Sequence, residues 1–328
     1  MIFVTGGTGL VGRHVLIECR TRGIPTTALV RNAGSARAVR ELGAVPLEGR
    51  VDDPEIWDRV NGCQAIVHSA ALIASRAPWD TYRRVNVDSV RLAAARAHRL
   101  GIPLVHISSV AVYGARERSA ADGTVDEGFP IGPLDDPAFY PRSKRLAEQV
   151  LWEAVGGGLR ALALRPTLIY GEGDRQFLPR VVAFARHGWL PLFGAGDRPL
   201  SLVHARNIAH AALQALALDR GWGSAFNLVN EDSVTAREFI HYLATGLGRR
   251  IRAVPVPLSL AMGAARLGDG LMTALFPGTF AASPSGAVRY WRGGNPFSVA
   301  AARRELGWNP PIGHREGLPA AVRAIGSG

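Results

Sequence analysis

The feature that most narrows the choice of fold is an apolar run, Ile2-Phe3-Val4-Thr5, that leads directly into Gly6-Gly7-Thr8-Gly9-Leu10-Val11-Gly12. The run reads as a buried strand, and the residues after the glycines carry a helical pattern to about Arg22. Glycines at 6, 9 and 12 follow a G-x-x-G-x-x-G spacing. Such spacing permits a tight turn, close approach of backbone to a pyrophosphate, and close packing of the helix beneath it. The helix N-terminus then presents its free N–H groups and positive dipole end to the phosphates. Strand, glycine loop and helix in this order are the context that a dinucleotide site requires. Gly6, Thr8, Gly9, Leu10, Val11 and Gly12 are therefore candidate cofactor contacts.

Strand-like runs recur at 26–30, about 45–47, 65–67 and 104–107, with helical patterns around 54–60 and 81–100. This alternation predicts an α/β fold with a doubly wound parallel sheet of the Rossmann kind. Beyond about Pro166 the alternation gives way to turn-rich, proline-rich pieces. There a helix begins within 174–179, a turn falls at 194–197, helices are expected at 205–218 and 235–247, and a strand near 225–228 returns to the main sheet. The expected division is a nucleotide-binding domain, 1–165 with 202–229, and a smaller, mostly helical substrate domain, 166–201 with 230–328.

Composition excludes several classes. The charge of +11 comes from 38 Lys+Arg against 27 Asp+Glu, but the arginines are spread along the chain without a run of like charges. That argues for a solvated surface and against nucleic acid. Cys19 and Cys63 make neither a disulfide framework nor a metal site and suit a reducing cytoplasm. The chain enters its first strand without a charged lead or cleavage site, so no signal peptide is expected. The most apolar segment, 254–276, carries Arg266, Asp269 and several glycines, which makes it a poor spanning helix; peripheral membrane contact or a greasy pocket suits it better.

Among the cations, Lys144 is the single lysine of the chain. It stands four residues after Tyr140 in Tyr140-Pro141-Arg142-Ser143-Lys144, so on a helix the phenol and the ammonium share a face. Pro141 suits a first helical turn and places the helix start beside the tyrosine. A free phenol has a pKa near 10, roughly three units or ~4 kcal/mol above neutral pH. An ammonium at ~4 Å in an effective dielectric of ~20 contributes on the order of 4 kcal/mol, and the helix end ~0.5 kcal/mol more. The expectation is a tyrosine lowered into the working range of a general acid-base.

At the end of the second strand stands Arg31, with no acidic residue between Glu18 and Glu41 to bind ribose hydroxyls. Arg31, assisted by Arg37, suits a 2′-phosphate, so NADP(H) is preferred and NAD(H) is the alternative. The fourth strand is followed by His68-Ser69-Ala70-Ala71, where small residues let backbone approach the nicotinamide side, and His68 reads as structural. The fifth delivers Ser108 and Ser109 to the carboxyl edge of the sheet, where ligands of such folds bind.

Glycine loop, Ser-Ser and Tyr-x-x-x-Lys together resemble the extended short-chain dehydrogenase/reductase family, or NAD-dependent epimerase/dehydratase group, over almost the whole chain. Ala147-Glu148, Leu164-Arg165-Pro166, Ile169-Tyr170-Gly171 and Asn207-Ile208-Ala209-His210-Ala211 resemble its 3β-hydroxysteroid dehydrogenase and sterol-4-carboxylate dehydrogenase branch. The resemblance implies an NAD(P)-dependent oxidoreductase acting on bulky lipophilic alcohols and ketones. It makes Ser109 the catalytic serine and Tyr140 the proton donor or acceptor. Lys144 becomes the residue that lowers the tyrosine pKa and holds the ribose, and Asn86 the site's support. Ser108 and Pro166 join the cofactor side. At Gly49-Arg50-Val51-Asp52 the family's usual acidic adenine reader is replaced by Arg50, which shifts that role to Val51 and Asp52. Sugar-nucleotide members carry a diphosphate-binding arginine where this chain has Leu200, which argues against such substrates, with Arg198 nearby as a substitute.

Trp79 and the aromatics of 254–292 (Phe276, Phe280, Tyr290 and Trp291) are candidates for a hydrophobic substrate wall or for plain packing. Helices near 81–100 and 141–155 form a dimer face in many relatives, so a homodimer is expected. The rival readings are a nucleotide-sugar epimerase or dehydratase and a dinucleotide-binding redox sensor without activity.

Overall fold

The computed structural model describes all residues except 74–76, 120–123, 135–138, 276–283 and 327–328, so Phe276 and Phe280 lie outside the described residues. The N-terminal half supplies β1 (Ile2–Thr5), β2 (Thr26–Val30), β3 (Val45–Glu48), β4 (Ala65–His68), β5 (Leu104–Ile107) and β6 (Ala161–Pro166). Between and after them come α1 (Leu10–Thr21), α2 (Ala33–Glu41), α3 (Pro54–Asp58), α4 (Trp79–Arg83), α5 (Ser89–Leu100) and α6 (Phe139–Gly156). Short strands β7 (Leu168–Tyr170), β8 (Trp189–Phe193) and β9 (Leu202–His204) precede β10 (Ala225–Leu228) and β11 (Arg252–Val256). The later helices are α7 (Leu178–Ala185), α8 (Ala205–Leu218), α9 (Ala236–Leu247), α10 (Leu258–Leu275), α11 (Pro284–Trp291), α12 (Ala300–Leu306) and α13 (His314–Gly326).

Seven strands form one parallel sheet in the order β10-β6-β5-β4-β1-β2-β3. The chain winds outward in both directions from the neighbours β1 and β4, and the crevice at their carboxyl ends is where such sheets take ligands. Register puts Ile2 opposite both Thr26 and Ala65, and Thr5 opposite His68.

Side chains alternate across the sheet with the two-residue period of a strand. Ile2 and Val4 pack on one face with Val15 and Leu16 of α1 and Ile208 and Ala212 of α8. Phe3 turns to the other, with Val90 and Ala93 of α5 and Ala147 and Leu151 of α6. Burial on both faces explains why these strands read as continuous apolar runs. Ala302 and Leu306 of α12 and the following Trp308 join the first face, so the layer beneath the sheet draws on residues nearly three hundred positions apart.

The remaining elements build two small parallel sheets, β7 with β9 and β8 with β11, over a third core that includes Leu178, Leu192, Phe239, Leu243 and Leu318. These strands have three to five residues and were not anticipated from sequence. Tyr290 and Trp291 belong to this core: Trp291 lies edge-on to Phe239 at 5.0 Å, and the Tyr290 hydroxyl donates to the Ser201 carbonyl at 3.0 Å. Plain packing is the reading of the two that the structure supports.

Candidate active site

The glycine loop turns between β1 and α1 with Gly6 at φ 70°, a conformation costly for any side chain. A Cβ on Gly6 would sit 2.8 Å from the Ala70 backbone nitrogen, and one on Gly12 would run into the Gly6 carbonyl oxygen. The turn is closed by Gly9 N–H donating to Gly6 O at 2.8 Å. Gly9 caps α1 without any side chain, and it is exposed. The result is an open helix N-terminus under a backbone cradle, a shape and polarity that fit a dinucleotide diphosphate. Thr8, Leu10 and Val11 lie along this mouth, and Ser69-Ala70-Ala71 leaves β4 beside it.

Behind the cradle, His68 is fully buried and fixed in one tautomer. Ala70 N–H donates to Thr5 Oγ1 at 3.2 Å, and the Ser89 hydroxyl donates to Val85 O at 2.6 Å. The Thr5 hydroxyl is therefore free to donate to His68 Nδ1 at 3.1 Å, while Nε2–H donates to Ser89 Oγ at 3.1 Å. Burial, helped by the Lys144 charge, brings its pKa down to about 3, so it is a neutral structural histidine, as expected. The Ser69 hydroxyl donates to the Thr5 carbonyl at 2.8 Å.

At the adenine end, Arg31 is exposed just past β2, and its neighbour Asn32 caps α2 by accepting from Ser35 N–H at 2.9 Å. Asp52 is already engaged: Arg50 donates to its two oxygens at 3.1 and 2.9 Å, and Arg84 lies 3.7 Å away. Partial burial works against its ionisation, but these cations bring its carboxyl below the ordinary range. The Val51 carbonyl accepts from Trp57 Nε1 at 2.9 Å. Arg50 and Asp52, the positions considered for adenine, are paired with each other.

Tyr140 sits in the first turn of α6 and Lys144 one turn on, so the two share a face of the helix as the spacing requires. The tyrosine hydroxyl is enclosed and hydrogen-bonded to Ser109, whose Oγ also accepts from Ala111 N–H at 3.2 Å. The expected electrostatic coupling is corrected by the structure. Burial pushes the Tyr140 phenol up to about 12, against the hydrogen bond from Ser109. The Lys144 ammonium donates instead to the Ile107 carbonyl at the end of β5, at 2.7 Å, and burial brings its pKa down to about 8. In this state the enclosure of the phenol outweighs an ammonium whose charge is directed at a backbone oxygen.

Asn86 joins the loop after β4 to the start of α6. It lies in a π-helical turn, Arg84–Asp88, that widens the helix between α4 and α5. Its Oδ1 accepts from Leu72 N–H at 2.6 Å, and its amide donates to Leu72 O at 2.9 Å and Ser143 Oγ at 2.8 Å. Ser143 in turn donates to the Tyr140 carbonyl at 2.8 Å. One side chain thereby ties the loop after β4 to the turn that carries the tyrosine.

Ser108, expected on the cofactor side, turns its hydroxyl inward and donates to Glu148 at 2.5 Å. Glu148 also accepts two bonds from Arg165, at 2.9 and 2.6 Å, and Arg165 donates to the Tyr113 hydroxyl at 2.9 Å. Tyr113 donates to Asn227 Oδ1 at 2.8 Å. This buried chain links α6, β6 and β10 behind the serine. Glu148 and Arg165 entered the sequence reading only as marks of resemblance. The usable signal was Glu148 at four residues after Lys144; nothing in the sequence marked Tyr113 or Asn227 as its partners. Pro166 ends β6, paired with Leu228.

An aromatic wall stands beside Tyr140. Phe139 lies 5.8 Å from Trp79 and 5.9 Å from Tyr82, and the Arg142 guanidinium covers the Trp79 ring at 4.2 Å. Trp79 was anticipated; Phe139 and Tyr82 were not. Leu200 is buried in the third core, which leaves that position without a group for a diphosphate, and Arg198 is exposed.

Residues 2–228 match the NAD dependent epimerase/dehydratase family. The chain is 34% identical over 330 residues to a 4-hydroxy-2-methyl-3-oxo-4-farnesyl-3,4-dihydroquinoline-1-oxide ketoreductase of Stigmatella aurantiaca, covering 98% of this chain and 96% of that protein. It is 24% identical over 277 residues to a sterol-4-alpha-carboxylate 3-dehydrogenase, decarboxylating, of Dictyostelium discoideum, covering 80% of this chain and 82% of that one. Among solved structures it superposes with a TM-score of 0.76 on a UDP-glucose 4-epimerase of Thermotoga maritima, at 18% identity and covering 99% of this chain and 98% of that one, a likeness of fold.

Proposed function

The chain belongs to the NAD-dependent epimerase/dehydratase family, and from that premise we propose that it is a ketoreductase interconverting a ketone and a secondary alcohol on a bulky, lipophilic substrate. The observation that carries this reading is the enclosed hydrogen bond between Tyr140 and Ser109, one helical turn from a buried Lys144, at the carboxyl edge of the sheet. The named relatives reduce a farnesylated quinoline ketone and oxidise a sterol, and the half-buried Trp79 and Phe139, backed by the buried Tyr82, offer apolar surface to such a molecule.

NADP(H) is the favoured cofactor, supported by the exposed Arg31 and the absence of a carboxylate from the end of β2. When bound, the nicotinamide supplies or accepts the hydride. The open N-terminus of α1 would hold the diphosphate, and Arg31 a 2′-phosphate. A phenol held near 12 remains protonated at neutral pH and is ready to donate to the oxygen of a reduced carbonyl. Ser109 donates to the same oxygen and stabilises its developing charge. Lys144 provides a fixed positive charge behind the pair.

A nucleotide-sugar reading is disfavoured by a buried Leu200 at the position of the diphosphate cation, with the exposed Arg198 two residues before it as the remaining substitute. A homodimer through α5 and α6, and a two-part organisation with the substrate held by the later segments, complete the proposal; peripheral contact with a lipid surface is consistent with a lipophilic substrate. The test is Tyr140→Phe. NADPH-linked reduction of a bulky ketone is abolished while NADPH binding by fluorescence is kept; turnover close to that of the parent refutes the assignment.

A further inference from the structure

Helix α10 is apolar on two opposite sides. Leu258, Ala261, Met262 and Ala265 pack inward with Phe193, Val256 and Val288. Leu260, Gly263, Ala264 and Leu267 form the opposite stripe by their i, i+3, i+4, i+7 spacing. Leu260 and Leu267 on that stripe are 66% and 78% exposed. A helix on the surface of a soluble body usually turns polar residues outward; this one turns leucines. The adjoining β8–β11 sheet continues the surface. Its parallel register sets Trp189 beside Arg252 and Pro191 beside Val254, on the face whose far end, Phe193 and Val256, lies under α10. Trp189 is 40% and Val254 39% exposed, and the exposed Phe184 meets Trp189 edge-on at 5.2 Å.

Charge identifies the occupant. The two stretches that build this surface, 178–193 and 249–268, hold Arg180, Arg186, Arg249, Arg250, Arg252 and Arg266 and no aspartate or glutamate. All six arginines are exposed. A second copy docked about a twofold axis would set this one-sign surface against itself, because the two sides of such an interface are the same patch. No described helix is long and apolar enough to cross a membrane. Leucines and a tryptophan ringed by cations are instead the pattern of a surface that lies in the headgroup boundary of an anionic bilayer.

We propose that the outer face of α10 together with the β8–β11 sheet is a docking surface for anionic lipid bilayers. Leu260, Leu267, Trp189 and Val254 enter the boundary between headgroups and acyl chains, and the arginines bind the lipid phosphates. The proposal goes beyond the ketoreductase reading and does not require it.

The experiment is co-flotation of the full chain with vesicles of phosphatidylcholine containing phosphatidylglycerol, against phosphatidylcholine alone, with Trp emission as a second readout. The chain floats with the anionic vesicles, and the binding falls at high salt, where the screening length drops to ~3 Å at 1 M. Leu260→Glu with Leu267→Glu lowers partitioning roughly tenfold or more while circular dichroism and NADPH binding stay unchanged. Tyr140→Phe floats like the parent, so loss of the reaction and loss of docking are read separately. A parent chain that stays off anionic vesicles, or a double-glutamate variant that binds as the parent does, overturns the proposal. So does sedimentation equilibrium in which the double variant converts a dimer to a monomer, since the face would then be an interface between copies.

Discussion

At the scale of single residues, the site rests on three charges that have left water, Lys144, Glu148 and Arg165. Lys144 has its pKa lowered from 10.5 to about 8, chiefly by burial, with Glu148 opposing. Between those values the unfolded chain binds more protons than the folded one, so stability rises with pH across that window and is lower below it. Lys144→Met removes this slope, measured as urea midpoints from pH 7.5 to 10. In the reaction, ketone reduction by the parent loses rate as pH rises through about 8, where the ammonium is lost. A kcat/KM profile flat to pH 10 would separate catalysis from the lysine charge. The Glu148–Arg165 pair is buried on both sides and bonded through two contacts. Arg165→Met alone strands a carboxylate and costs about 3–5 kcal/mol, whereas Glu148→Met with Arg165→Met recovers most of it; thermal melts of the three chains check this. The sequence marked Tyr140 and Lys144 because their four-residue spacing is local, whereas Ser109, thirty-one residues before the tyrosine, entered as the catalytic serine only through the resemblance. The sequence did not reveal where the ammonium points, because that depends on a carbonyl 37 residues earlier in the chain, on β5.

At the scale of elements, the glycine loop was legible because each glycine answers a backbone constraint. Gly12→Ala brings a methyl against the Gly6 carbonyl, in a cradle with no room to relax. We expect about 1–3 kcal/mol lost in stability, with NADPH affinity reduced in calorimetric titration. If the exposed end of β2 holds a 2′-phosphate as proposed, Arg31→Glu weakens NADPH roughly 10–150-fold, the value of one charge-assisted hydrogen bond at ~1.5–3 kcal/mol, and leaves NADH binding comparatively intact. Strands β1, β2 and β5 were readable from apolar runs of four or five residues buried on both faces, whereas β6, which carries Arg165, was not read as a strand. The three-residue β7 and β9 were not, since their pairing is fixed by the cores around them rather than by any local pattern. The π-helical turn at Asn86 was equally hidden, because its sequence continues the helical pattern on either side.

At the scale of the whole molecule, the sheet is not contiguous in sequence. Trp308, 5% exposed, packs beneath it with α1, α8 and α12. Trp308→Ala should cost about 3–5 kcal/mol and lower the melting transition of the N-terminal half as well as the rest. A fragment ending at residue 229 should fail to show a cooperative melt by calorimetry; one that melts sharply would show that the sheet is complete without α12. The same arrangement bears on synthesis. Strand β6 closes at Pro166 but its outer neighbour β10 begins at Ala225. On the ribosome its backbone edge therefore waits for about 3–12 seconds, at ~5–20 residues per second. During that interval a nascent chain carries an unpaired, apolar strand edge, and yield in a cell should depend on a chaperone that shields it.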